Sequence, residues 1–178
     1  ITWGASDHSN GSVADAGIYV RSDGAYGTKM YISTTDSYAS GSKTSIKIDH
    51  AGRVTMPRQP AFQAKLISGQ TITTTNTTIG FSSEDFDIGG NHSSGTFTAP
   101  VAGIYSFGVN FLAYPFTTGI INVGFYVNGS LSTHLVQHGA SNNSHTGISM
   151  TGLLSLAASD AVTVKVSGSS LTSTTVYG

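Results

Sequence analysis

The sequence predicts an all-β protein, an antiparallel jelly-roll sandwich preceded by a short β-rich segment. Apolar residues alternate with polar ones or form short runs, and no window repeats at helical period. Thr and Val are abundant, and Gly, Asn and Ser punctuate at short intervals, as turns between strands require. Two regions emerge, 1–58 and 59–178, divided by Met56-Pro57-Arg58-Gln59-Pro60, where two prolines hold the chain extended and withhold ladder donors.

Region one is expected to form strands over Ala16 to Arg21, Thr28 to Ser33, Thr44 to Asp49 and Arg53 to Met56. The last two flank Asp49-His50-Ala51-Gly52, where Asp caps the turn with its own side chain and Gly supplies a positive φ. The facing apolar sets, Ile46 with Ile48 and Val54 with Met56, are too small for an independent core. Its expected neighbours are other copies of itself.

Region two carries stronger strand signals. Phe62 to Ser68 places Phe62, Ala64 and Leu66 on one face, and Gln70 to Phe81 is a Thr-rich strand signal ending in the apolar Ile79-Gly80-Phe81. The clearest alternation is Ile104 to Phe111, with Tyr105, Phe107, Val109 and Phe111 on one face. Ile120 to Val127 and Leu131 to Gln137 flank Asn128-Gly129, a strong hairpin signal because both positions tolerate positive φ. Ile148 to Leu156 and Val162 to Val166 follow, joined by Ala157-Ala158-Ser159-Asp160. Seven or eight short strands at this spacing make a β-sandwich or jelly roll.

Composition narrows the function classes. Only 10% of the 178 residues are charged, against about 25% in an ordinary soluble domain, and the net charge is −1. Polarity comes instead from 26 Ser, 23 Thr, 22 Gly and 8 Asn. With no basic run, phosphate-backbone binding has no electrostatic support. No apolar stretch reaches the roughly 18 residues of a membrane span, so no membrane insertion is expected. Zero Cys excludes disulfide frameworks and cysteine nucleophiles. The start at Ile1, with no signal-like segment, suggests a piece of something longer.

Region two resembles the globular head domain of complement component 1q, in the tumour-necrosis-factor-like jelly-roll group. The carrying residues are Pro60-Ala61-Phe62, then Phe97 followed by Gly103, Tyr105 and Phe107, then Val127-Asn128-Gly129 and Leu156 to Val164. Three departures stand out. Val109 occupies a usual aromatic position, and Phe86-Asp87 sits further upstream than the family's aromatic-Asp pair. Nothing after Val176-Tyr177-Gly178 supplies the family's closing strand, so either the chain continues or the sheet is completed differently. Region one resembles the distal segments of bacteriophage tail fibres, through Gly27-Thr28-Lys29-Met30-Tyr31, Ser42-Lys43-Thr44 and Ile48 to Met56.

The resemblances imply a homotrimer, with residues 1–58 as shaft or collar and 59–178 as knob. They imply that aromatics such as Tyr105, Phe107, Phe111 and Phe125 line either the subunit core or the threefold interface. Calcium is the one candidate cofactor, with Glu84, Asp85 and Asp87 as oxygen ligands, weighed against a solvated acidic loop. The six His show no ligand spacing. No paired carboxylates across a cleft and no Gly-x-Ser-x-Gly elbow are recognisable, so no enzyme is expected.

Loops then carry function. The candidate receptor contacts are His92, Tyr114, Phe116, Asn142, Asn143 and His145, with Tyr114 and Phe116 as an apolar platform around Pro115. The expected role is the receptor-binding tip of a virion tail fibre, extracellular, attached to other virion tail proteins and recognising a host-surface glycan or protein. The alternatives are a purely structural trimerisation domain, a secreted or cell-surface head-domain protein, and a polysaccharide depolymerase.

Overall fold

The computed structural model describes residues 1–3, 14–22, 24, 27–36, 41–73, 75–116, 119–139, 144–171 and 174–178. Its elements are all strands, and the chain divides into two compact units, Ile1–Gln59 and Pro60–Gly178.

In the first unit, β1 (Thr2–Trp3), β2 (Ala16–Ser22), β3 (Thr28–Thr34), β4 (Lys43–Ile48) and β5 (Val54–Thr55) form one antiparallel meander in chain order. Its register aligns two apolar ladders on one face, Ile18-Ile32-Ile46 and Val20-Met30-Ile48-Val54. On that face Val20 is 62% and Val54 58% exposed. The β4–β5 turn follows from its sequence. Gly52 takes φ +79°, and Asp49 Oδ1 accepts the backbone N–H groups of Ala51 and Arg53 at 2.9 and 3.0 Å. The Arg53 backbone N–H, followed by its guanidinium and the Ala51 N–H, holds the Asp49 carboxyl down at about 2.

The second unit contains β6 (Ala61–Lys65), β7 (Gln70–Ile72), β8 (Thr77–Thr78), β9 (Ser83–Ile88), β10 (His92–Ser93) and β11 (Thr96–Thr98). The longer strands follow: β12 (Gly103–Phe116), β13 (Ile120–Val127), β14 (Ser130–Gly139), β15 (Ser144–Leu156), β16 (Ala161–Ser169) and β17 (Thr174–Tyr177). One sheet runs β10-β11-β16-β13-β14 with β8 also on β16, a second runs β15-β12-β17-β7, and β6 pairs with β9. The β12 alternation predicted from sequence is present. Phe107, Val109 and Phe111 face inward and pack with Phe125, Ile121 and Val123 of β13 into one core cluster.

Hydrogen bonds staple two turns together. Asn128 and Gly129 both adopt positive φ, +50° and +82°. The Asn128 amide donates to Asp160 Oδ1 at 2.8 Å, and its carbonyl oxygen accepts the Ala161 N–H at 2.9 Å. Asp160 Oδ2 accepts the Ala157 N–H at 2.8 Å, closing its own turn. Asn128 and then the Ala157 N–H lower the Asp160 carboxyl below its ordinary range.

Several sequence expectations are corrected. Gln70 to Phe81 is two strands in different sheets, because the Gln70 side chain donates to Thr78 O and accepts from Gly80 N, folding the segment back on itself. The acidic segment Glu84 to Asp87 is part of strand β9, not a loop. Thr174–Tyr177 form β17, which lies beside β12 across Leu112 to Tyr114.

Replacing Asn128 by Gly keeps the turn and removes both side-chain ties, and should cost about 1–2 kcal/mol in a denaturant titration. Asp49 and Asp160, both depressed, stabilise the fold above the ordinary carboxylate range, and this is lost as pH falls through their lowered values. An NMR titration of Asp49 should therefore show its midpoint near 2. Asp160→Asn should flatten the acid limb of the melting curve.

Candidate functional site

The two-stranded sheet places acidic side chains beside the buried His92. The β6–β9 register slips between Gln63 and Ala64, so that Gln63 opposes Phe86 and Ala64 opposes Glu84, with Asp85 left over as the bulge residue. The slip turns Asp85 away, and its carboxylate meets Lys65 Nζ and Gln63 Nε2. Glu84 and Asp87 share the side of Ala64 and Phe62 and converge on His92. Glu84 Oε1 lies 2.9 Å from His92 Nδ1, while Asp87 accepts the backbone N–H groups of Asn91 and His92 at 3.2 and 2.9 Å.

His92 is buried, and its ring stacks on Phe62 at 4.7 Å between centroids. Phe62 in turn stacks on Phe97 at 5.3 Å. The proposed calcium ligands are thus not gathered around one point. Among the described residues no three His, Asp or Glu side chains form a metal-holding group.

The receptor candidates separate in the same way. His92 and Phe116 are both buried, Phe116 at 0% exposure, which removes them from any contact surface and leaves no Tyr114–Phe116 platform. The β12 strand runs on through Phe116 and carries that ring into the core. Tyr114 remains 37% exposed and stacks on His145 at 4.1 Å, forming a flat aromatic pair where β12 meets β15. Asn142 and Asn143 lie outside the described residues. Phe107, Phe111 and Phe125 are core residues of the second unit, and Tyr105 packs against them with its hydroxyl donating to Val101 O at 2.7 Å.

Sequence reasoning missed the outer face of β12 and β15. Ile104 and Leu153 are 71% and 63% exposed there, with Val101 nearby in sequence at 59%. Register places Ile104 opposite Ser155 and Leu153 opposite Ser106. The signal was present, since Ile104 breaks an otherwise small and polar set formed by Ser106, Gly108 and Asn110. At the other end of the same sheet Tyr177, opposite Leu112, is 44% exposed.

His92→Ala removes the stack on Phe62 and should cost roughly 2–4 kcal/mol of stability. His92→Phe keeps the stack while releasing a Glu84 that water can reach, and should cost less in the same denaturant titration.

A scan against protein-family models matches the C1q domain over residues 61–177. Among solved structures, the globular domain of the zebrafish complement 1qA protein is similar at 16% identity and a TM-score of 0.50, covering 66% of this chain and 94% of that one. An exo-beta-1,3-galactanase from Phanerochaete chrysosporium aligns at 18% identity over 83% of this chain and 36% of its own, with a TM-score of 0.26 that carries no argument. Comparison with curated protein sequences gives no match. With two sheets enclosing one aromatic core and the family pattern running from β6 to β17, the chain belongs to the C1q domain family.

Proposed function

We propose that the chain is the homotrimeric receptor-binding tip of a phage tail fibre, an extracellular adhesin on the virion that recognises a host-surface glycan or protein. C1q domains are binding domains that typically form trimers, which supports a non-catalytic role for residues 61–177. The observation that carries the assembly reading is the exposed apolar face of the first unit. Two ladders, Ile18-Ile32-Ile46 and Val20-Met30-Ile48-Val54, lie side by side, and Ile18, Val20, Met30, Ile32 and Val54 are exposed. A face of this kind on a small sheet is an interaction surface. Around a threefold axis three such faces cover one another, as a fibre shaft requires.

The outer face of β12 and β15 supports the same symmetry in the second unit, through Ile104 and Leu153. The low charge fits as well. Residues 61–178 hold two Lys and four acidic residues, and Lys65, Asp85, Glu84, Asp87 and Asp160 are all engaged within the subunit. Recognition then falls to aromatic and hydroxyl groups. Tyr114 stacked on His145 offers an aromatic surface suited to a sugar ring or an apolar protein patch.

Light scattering should give three times the chain mass. Val20→Asp with Ile32→Asp, or Ile104→Asp with Leu153→Asp, should lower that mass, because each buries charge in an apolar contact. A stable monomer of the unmutated chain would sink the assembly reading.

Adhesion is tested by pull-down on a panel of bacterial cells and on their isolated surface polysaccharides. Loss of trimerisation should weaken binding by roughly a hundredfold through lost avidity. Tyr114→Ala with His145→Ala should weaken it with little change in melting temperature. Intact trimers that bind no cell would favour a structural trimerisation role, and release of reducing ends would favour a depolymerase.

A further inference from the structure

The chain's eight Lys and Arg are unevenly placed, and six of them lie in the first unit. Three of the six meet carboxylates locally, Lys43 and Arg58 at Asp36 and Arg53 at Asp49. Register brings the other three, Arg21, Lys29 and Lys47, to one face of the sheet. Arg21 stands directly opposite Lys29 across β2 and β3, and Lys47 stands opposite Tyr31, whose neighbour on the other side is Tyr19. This face is the reverse of the Ile18-Ile32-Ile46 and Val20-Met30-Ile48-Val54 ladders, because side chains alternate along each strand. Like charges set directly opposite cost stability, so folding alone does not favour the Arg21–Lys29 rung.

Beside these cations lies a shallow groove of about 740 Å³ whose lining includes Tyr19, Arg21, Tyr31, Ser33, Ser42 and Thr44. Gly17 sets its shape. The Tyr19 ring lies back over Gly17, where an added Cβ would come within 2.5 Å of it, and its hydroxyl is hydrogen-bonded to Ser42 Oγ at 2.9 Å. The ring is thereby held toward the Gly17 end of β2, away from Arg21 and Lys29. One end of the groove is hydroxyl and aromatic, and the other is cationic.

That combination selects a ligand. Serine, threonine and tyrosine hydroxyls both donate and accept, as the hydroxyls of a sugar require. Aromatic rings give the apolar face of a sugar ring a surface to pack on. A guanidinium grips a carboxylate or phosphate through two parallel hydrogen bonds. A nucleic acid asks for a longer track of cations than three.

We propose that this face of the first unit binds an anionic saccharide, with Arg21, Lys29 and Lys47 holding its carboxylate or phosphate and the Tyr19–Tyr31 groove holding its ring. The site is separate from the Tyr114–His145 surface and does not depend on the fibre-tip reading.

Titration calorimetry on the 178-residue chain tests the site with five probes: a galacturonate oligosaccharide, a phosphomannan oligosaccharide, neutral dextran, polyglutamate and single-stranded DNA. At least one charged saccharide should bind about tenfold or more tightly than dextran, and which of the two binds identifies the anion as carboxylate or phosphate. Arg21→Gln with Lys47→Gln should weaken that binding about tenfold with the melting temperature unchanged; should the pair lower the melting temperature, each single substitution carries the test. Arg58→Gln removes a cation already paired with Asp36, and should change the affinity by less than about twofold. Tyr114→Ala with His145→Ala should leave the binding intact. The proposal is overturned if dextran binds as well as the charged saccharides, if polyglutamate or DNA binds as tightly as they do, or if the Gln variants bind like the unmutated chain. Loss of binding in the Tyr114 and His145 variant would overturn it too, by placing the site on the second unit. Failure of the intact chain to adhere to cells, with charged saccharide still bound, would count against the fibre-tip reading and leave this site standing.

Discussion

The aromatic contact set centred on Phe107 is the interaction on which the second unit depends. Its ring meets Phe97 edge-on at 5.4 Å, Phe125 at 5.7 Å and Phe62 at 6.5 Å, each from a different strand. One side chain of β12 thus ties its own sheet to β6 of the two-stranded sheet and to β11 and β13 of the six-stranded sheet. Such pairs add about 0.5–1.5 kcal/mol each beyond the area they bury. Their larger effect is geometric, because planar rings in contact fix the spacing and angle of the layers that carry them. The depth of His92 follows from the same constraint, since it completes the stack beyond Phe62.

Charge is distributed around that core in a way that bears on function. Asp87 caps the backbone leading into β10, Asp160 closes the β15–β16 turn, and Glu84 is spent on His92. Each of these three carboxylates is engaged by a neighbour within the unit. What the described surface offers is apolar and aromatic: Ile104, Leu153, Tyr177 and the Tyr114–His145 pair. Association and non-covalent recognition are the chemistries such a surface supports.

The two units share a physical predicament. Each exposes apolar side chains among its described residues, the first through Val20 and Val54 and the second through Ile104 and Leu153. Small β units bury too little of their own surface to be stable in isolation. The scarcity of charge is the compositional counterpart, since charged side chains are costly wherever a partner's surface must close over them.

Much of the architecture was legible in the sequence because it depends on local geometry. The period-two alternation from Tyr105 to Phe111, the Asn128-Gly129 hairpin and the Asp49-to-Gly52 turn all follow from neighbours a few residues apart, and each appears as expected. The candidate site was legible only in part. Tyr114 and His145 were recognised as residues, while the burial of His92 and Phe116 and the dispersal of Glu84, Asp85 and Asp87 were not. Those outcomes turn on a one-residue register slip in β9 and on how far β12 continues, both set by contacts between strands distant in sequence. By itself the sequence determined strand identity, turn chemistry and the apolar face of each strand, because the backbone alternates side chains at every step. Only the tertiary structure decided which strands are neighbours and in what register, because pairing and register depend on packing summed over the whole core.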